Sequence, residues 1–266
     1  MLSHPASLPN MVVSIVSHGH GSLVDDLLSD LARARSLSLQ RVVITLNLPD
    51  EPAPRVDAAW PFAVQILRNL RPQGFGANHN QALAGAAESC VGIFNPDVRL
   101  LPTVSGEDDP LTALVSAASQ PGVGCAYPMQ VDEEGCIQDS ERALPSPLAL
   151  LQRRLWGRRE TRVDWVNAAC LAIPTPVWRE VHGFDERYFM YCEDVDLSLR
   201  LRLQGLGLIR APVAIIHSGQ RASHRRWRHL VWHVGSLFRL WSSKVYWRAK
   251  RLLPMDTHAA RTIASS

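Results

Sequence analysis

The sequence predicts an α/β protein built on a mostly parallel, Rossmann-like sheet flanked by helices. Three observations lead there. Short β-branched runs recur at residues 11–17, 41–46, 62–67 and 91–94. Amphipathic or glycine-led stretches with helical character follow the first and third of them. The residues just past each run are polar or glycine, and parallel sheets bind ligands beyond the carboxyl ends of their strands.

Each element can be justified in turn. MVVSIVS (11–17) reads as a buried strand; His18-Gly19-His20-Gly21 then turns the chain into an amphipathic helix over 22–34. RVVITL (41–46) is a second strand, closed by the turn-rich 47–54. A third strand spans 62–67; after it, Gly74-Phe75-Gly76 leads into a helix expected over 77–88. VGIF (91–94) is a fourth, stopped by Asn95-Pro96-Asp97. Beyond residue 100 the alternation weakens. Residues 110–131 read as a short helix, a turn and a strand, and 163–173 as one further strand. A helix over the leucine-bearing end of 184–203 and an apolar run at 211–216 ending in His217 complete the body. Right-handed βαβ connections join such strands. There is no internal repeat.

At 266 residues, 46% hydrophobic and 20% charged, the chain suits one α/β unit with appendages and excludes a disordered, collagen-like or coiled-coil protein. The five cysteines, Cys90, Cys125, Cys136, Cys170 and Cys192, form no C-x-x-C pair. That argues against a disulfide framework or zinc site and for a reducing compartment. Neither a signal peptide nor a membrane span is expected. The net charge of +3 hides an asymmetry: residues 197–255 hold twelve Arg or Lys and no acid. A polyanionic neighbour is expected for that segment.

Four groups of residues are candidates for chemistry. Asn95-Pro96-Asp97 sets a carboxylate at a strand end, which suits Mg²⁺ or Mn²⁺ bridging a diphosphate; an ordinary Asn-Pro-Asp turn is the alternative. Asn69, Arg71 and Gly74-Phe75-Gly76 precede a helix whose N-terminus attracts phosphate, unless they are only a flexible connection. The stretch Gly183 to Asp196 interleaves carboxylates with aromatic rings ahead of a helix. Desolvation by those rings raises a carboxyl pKa, as a general base requires, so Glu193 and Asp194 stand out; Asp196 reads as an ordinary first-turn acid. His217 is a structural histidine unless it faces Asp97.

Together these segments resemble the family-2, inverting, nucleotide-sugar-dependent glycosyltransferases of the GT-A fold, in the rhamnosyltransferase-like branch that builds bacterial cell-surface polysaccharides. The resemblance covers nearly the whole chain. It rests on Val13 to Ser17, on Asn69 with Gly74 to Asn78, on Asn95-Pro96-Asp97, and on Gly183-Phe184-Asp185-Glu186 leading to Glu193-Asp194-Val195-Asp196. It implies that Ser17 and His18 meet a pyrimidine nucleoside, and that Asn69, Arg71, Gly74, Phe75, Gly76 and Asn95 line the nucleotide pocket. Asp97, with His217, would hold the divalent metal, Mg or Mn. Asp194 would be the catalytic base, with Glu193, Trp165 and Asn167 near the acceptor. Three positions depart from the pattern. Asn95 stands where the metal motif usually begins with Asp, His18-Gly19 where Tyr-Asn is common, and His182 where a glycine is usual.

The expected donor is a dTDP- or UDP-linked sugar, with rhamnose among the candidates, and the acceptor a saccharide or a polyprenyl-diphosphate-linked one. The alternative is a non-catalytic nucleotide-sugar-binding or membrane-surface scaffold protein of the same fold. Residues 1–220 are read as the catalytic domain and 221–266 as a basic, aromatic, amphipathic helical segment. Leu230, Val231, Val234, Leu237, Phe238 and Trp241 form one apolar stripe there, and four of the eight tryptophans lie between 221 and 251. Trp with Arg suits the headgroup layer of an anionic membrane surface. The expectation is a cytoplasmic protein, peripheral on the cytoplasmic face of the inner membrane, with no nucleic-acid partner.

Overall fold

Strand β1 (Met11–Ser17) is buried along its whole length, as a strand covered on both faces must be. In the computed structural model, which describes residues 9–101, 109–146, 162–218 and 226–253, β1 lies inside an eight-stranded sheet. It pairs in parallel with β2 (Leu39–Leu46) on one side and β4 (Cys90–Phe94) on the other; β3 (Ala63–Arg68) extends the β2 side. Strand order therefore reverses between β1 and β4. A crevice for ligand opens outside the carboxyl ends of strands at such a point.

The far half of the sheet holds β9 (Cys170–Pro174), β6 (Val123–Val131), β10 (Gly207–His217) and β5 (Val98–Leu100), in that order from β4. β9 runs antiparallel to both β4 and β6, and β5 antiparallel to β10; the remaining strands run in one direction. β7 (Glu141–Arg142) and β8 (Trp165–Val166) form a separate two-stranded ribbon.

Helix α1 (Ser22–Ala34) buries Val24, Leu27, Leu28 and Leu31 against one sheet face together with α3 (Pro110–Ala118). Helices α2 (Phe75–Ala82), α4 (Thr175–Glu180) and α5 (Glu193–Leu203) supply residues to the opposite face. The C-terminal helices α6 (Arg226–Ser242) and α7 (Lys244–Leu252) close a third core: Leu240, Tyr246, Ala249 and Leu253 pack with Trp165, Tyr188, Cys192, Val195 and Leu199.

Two expectations need correction. α2 ends at Ala82 rather than 88, because Gly85 takes a left-handed φ of 70° in the turn that follows. The strand expected over 163–173 is broken into β8 and β9. Asn167 Oδ1 accepts from the Ala169 backbone N–H (3.4 Å), an Asx-type turn that interrupts extended backbone. The domain boundary read at 220/221 lies outside the described residues.

Candidate active site

The carboxyl ends of β1, β2 and β3 are joined by a side-chain amide network. Asn69 Nδ2 donates to Asn47 Oδ1 (2.8 Å) and Asn78 Oδ1 (2.6 Å), and Asn47 Nδ2 donates to the Gln73 carbonyl (3.0 Å) and lies 3.2 Å from His18 Nδ1. Asn69 and Asn78 are buried, so these bonds hold the 69–78 loop from within. Arg71 stands exposed on that loop. Ser17 Oγ donates to the buried Glu51, whose other oxygen, Oε2, has no hydrogen-bond partner among the described residues. The His20 backbone N–H donates to Ser17 Oγ, and burial lowers the His20 pKa against the opposing charges of Asp97 and Glu51. Asn47, Gln73 and Asn78 lie in stretches that the sequence marks, at polar strand ends and in the 69–78 loop, but without a role assigned to them; Glu51 and His20 carry no such signal.

Gly74 and Gly76 face protein. A Cβ at Gly76 would sit 2.6 Å from Phe184 Cβ, and one at Gly74 2.9 Å from the Phe189 carbonyl oxygen. The Phe75 N–H donates to that same carbonyl (2.9 Å), and its ring meets Phe184 edge-on, centroids 5.6 Å apart. The loop is therefore a seat for the 184–189 segment. Behind it, His79 is fully buried and its pKa pushed down to about 3, so it stays neutral and shares a hydrogen bond with Ser14 Oγ (2.8 Å).

Asp97 and His217 meet although 120 positions separate them in the sequence. The antiparallel β5–β10 pairing sets His217 opposite Val98, and His217 Nε2 lies 3.5 Å from Asp97 Oδ1. His217 Nδ1 is buried without a hydrogen-bond partner among the described residues. A carboxylate beside an imidazole, both partly exposed, is a donor set that Mg²⁺ or Mn²⁺ accepts when oxygen ligands complete the shell. Among the described residues no group of three or more His, Cys, Asp or Glu could hold a metal. Asn95 ties this turn to its neighbour, donating its N–H to the Ala169 carbonyl (2.8 Å).

On the other side of the 167–169 turn sit Glu193 and Asp194, in the first turn of α5. The Ala168 backbone N–H bonds Asp194, and Asn167 exchanges hydrogen bonds with Gln130 (2.6 and 3.1 Å). Burial raises the Glu193 pKa, and the Asp194 charge raises it further. Burial also raises that of Asp194, opposed by the Val195 N–H (2.8 Å) and the Arg142 charge. Glu193 Oε2 is buried without a hydrogen-bond partner among the described residues. The neighbouring acids are engaged elsewhere. Asp185 pairs with Arg187, and Asp196 with Arg200 (2.7 Å), whose guanidinium also binds the Val181 and Gly183 carbonyls. Trp165 lies buried beneath the turn, Nε1 donating to the Ala143 carbonyl (2.9 Å), with Arg142 over its ring.

The residues before this pair are strained. Tyr191 (φ 72°) and Cys192 (φ 65°) are both left-handed without being glycine, at about 1–2 kcal/mol each. Two raised carboxyls beside a strained turn, linked through residues 167–169 to a carboxylate–imidazole pair, form an arrangement suited to acid–base chemistry.

Comparison with known proteins agrees. The chain is 28% identical to an N-acetylglucosaminyl-diphospho-decaprenol L-rhamnosyltransferase of Mycobacterium tuberculosis, over 92% of this chain and 91% of that protein. It is 26% identical to the rhamnosyltransferase WbbL of Escherichia coli, over 87% and 92% respectively. The fold matches a mannosyltransferase from Pyrobaculum calidifontis, solved with GDP-Man and Mn²⁺, at a TM-score of 0.58 and 16% identity. The match covers 88% of this chain and 65% of that one. The chain is thus similar to rhamnosyltransferases over nearly its whole length, and its fold is that of the GT-A glycosyltransferases. No family model matches it. The GT-A sheet carries the Asp97–His217 pair and the Glu193–Asp194 pair on either side of one short turn.

Proposed function

We propose that the enzyme moves a sugar, rhamnose by analogy with its relatives, from a dTDP- or UDP-linked donor onto a saccharide or polyprenyl-diphosphate-linked acceptor. The reaction would serve cell-surface polysaccharide synthesis and invert the anomeric carbon. The observation that carries this reading is the Glu193–Asp194 pair, Glu193 buried and Asp194 half-buried, raised in pKa and bonded to the 167–169 turn. Asp194 takes the proton of the acceptor hydroxyl as that oxygen attacks the anomeric carbon. One base suffices because no covalent sugar–enzyme intermediate forms. Glu193, Trp165 and Asn167 border the acceptor side. Ser17, His18, Asn69, Arg71 and Asn95 face the donor nucleotide, with Asn47 and Glu51 added by the geometry, while Gly74, Phe75 and Gly76 seat the acceptor-side segment against it. Asp97 and His217 would hold Mg²⁺ or Mn²⁺, which supplies positive charge to the departing diphosphate.

A donor screen tests this. Nucleoside-diphosphate release should appear with dTDP- or UDP-sugars in the presence of Mg²⁺ or Mn²⁺ and a lipid-linked or saccharide acceptor. No release with any dTDP-, UDP- or GDP-sugar would leave a non-catalytic binding protein as the better reading.

The outer surface of the C-terminal helices supports peripheral attachment to the anionic cytoplasmic face of the inner membrane. The stripe read from the sequence is divided: Leu237 and Trp241 turn inward, while Trp227, Leu230, Val231, Val234 and Phe238 are exposed on α6. α7 adds exposed Trp247 with Lys244, Arg248, Lys250 and Arg251. Among the described residues no helix is long and apolar enough to cross a membrane. Each basic residue near such a surface is worth about 1 kcal/mol. The protein should co-sediment with anionic vesicles at low salt and not with neutral ones. Val231→Asp with Phe238→Asp should lose that binding with an unchanged circular-dichroism spectrum. Indifference of the unmodified chain to anionic vesicles refutes the attachment.

A further inference from the structure

We propose that α6 is a positioning element for the transfer reaction, with His229 and Ser236 holding the base-bearing turn through Tyr191 and Met190. The inference rests on the reading of Asp194 as the base. Four residues of α6 reach the turn. His229 Nδ1 lies 2.7 Å from the Tyr191 hydroxyl, and Ser236 Oγ donates to the Met190 carbonyl (2.8 Å). The Trp232 ring packs on Phe189 with centroids 5.0 Å apart, and His233 meets the Tyr191 ring edge-on at 5.1 Å. Positions 229, 232, 233 and 236 recur at spacings of three and four, so they occupy one face of the helix.

The contacted residues, 189 to 191, are consecutive and end two positions before Glu193. Tyr191 and Cys192 are left-handed without glycine, a conformation that relaxes unless its surroundings over-determine it. From the donor side, the Phe75 N–H holds the Phe189 carbonyl, and Gly74 leaves no room for the segment to shift toward it. α6 is the opposite jaw. Its own anchorage lies further along the helix, in buried Leu240, whose apolar cluster includes Tyr188, Cys192 and Val195, and in Trp241, whose Nε1 donates to the Pro145 carbonyl (2.9 Å). The polar side chains at 229 and 236 therefore contribute orientation of the turn rather than attachment of the helix. A displacement of about 1 Å in a reacting group can cost about a hundredfold in rate.

The test uses the full chain and steady-state kinetics. His229→Ala and Tyr191→Phe should each lower kcat by about tenfold at unchanged donor KM and unchanged Tm. The double variant should be no worse than either single one, because both remove the same contact. His229→Asn should restore most of kcat, since its amide can reach the hydroxyl from nearly the position of Nδ1. Wild-type kcat in both single variants, with Asp194→Asn inactive, overturns the positioning role alone. A loss that tracks a fall in Tm and is not rescued by His229→Asn makes the contact merely structural and also overturns it. If Asp194→Asn stays active, the base assignment fails and this inference falls with it.

Discussion

Asp194→Asn is expected to abolish transfer while leaving nucleoside-diphosphate affinity nearly unchanged. Removing a general base typically costs a factor of about 10² to 10⁴ in rate. Asn keeps the size of the side chain and can still accept from the Val195 N–H, so the turn should survive. A variant that keeps more than about a tenth of kcat, roughly 1.4 kcal/mol of barrier, rejects the assignment. The pH profile adds a second reading. Burial raises the Asp194 pKa, so activity should fall, as pH is lowered, at a value above the ordinary Asp range of about 4. Linkage fixes the sign for stability. A carboxyl whose folded pKa exceeds its unfolded pKa binds its proton more tightly when folded. Its charge therefore destabilises the fold at neutral pH, and that penalty is relieved as pH falls through the folded value. Asp194→Asn removes the charge, so Tm at pH 7 should rise by a few degrees. Loss of activity with a gain of stability is the signature of a strained catalytic group rather than a structural one.

Asp97→Ala should remove the metal dependence of donor binding. Titration calorimetry with the nucleoside diphosphate should show affinity higher by about tenfold or more, roughly 1.4 kcal/mol, when Mg²⁺ or Mn²⁺ is present, and the variant should lose that increment. Chelation should stop turnover of the unmodified enzyme. His217→Ala should give a smaller loss, because a neutral imidazole contributes less to a hard cation than a carboxylate does. Equal affinity with and without metal in the unmodified chain refutes the site. Asn95 in place of the usual Asp leaves Asp97 as the one carboxylate of its turn, which concentrates the expected effect on that residue.

Much of the sheet was legible before any coordinates. β1, β2, β3 and β4 fall within two residues of the runs that predict them. β1, β4 and most of β2 are covered on both faces and so continuously apolar, while β3, an edge strand without a buried residue, is marked by its Val, Ile and Leu alone. The second half was less so. β5 has three residues and β8 two, too short for a period to register. β9 runs antiparallel to both neighbours, which composition cannot distinguish from parallel pairing.

By itself the sequence determined the α/β class, the polar strand ends, and the aromatic-acidic turn ahead of α5. Those features are written locally, in period, turn residues and neighbouring side chains. Tertiary structure alone decided which local features meet. The β5–β10 ladder brings His217 beside Asp97. Gly74 and Gly76, open to a phosphate-approach reading in sequence, are consumed by Phe189 and Phe184. The single apolar stripe of the C-terminal segment divides between a buried face against α5 and the turn before it and an exposed one. The physical reason is common to all three. Burial periodicity records that a side chain leaves water, but the partner it meets there is set by strand order and helix docking between segments 38 to 120 positions apart in the chain.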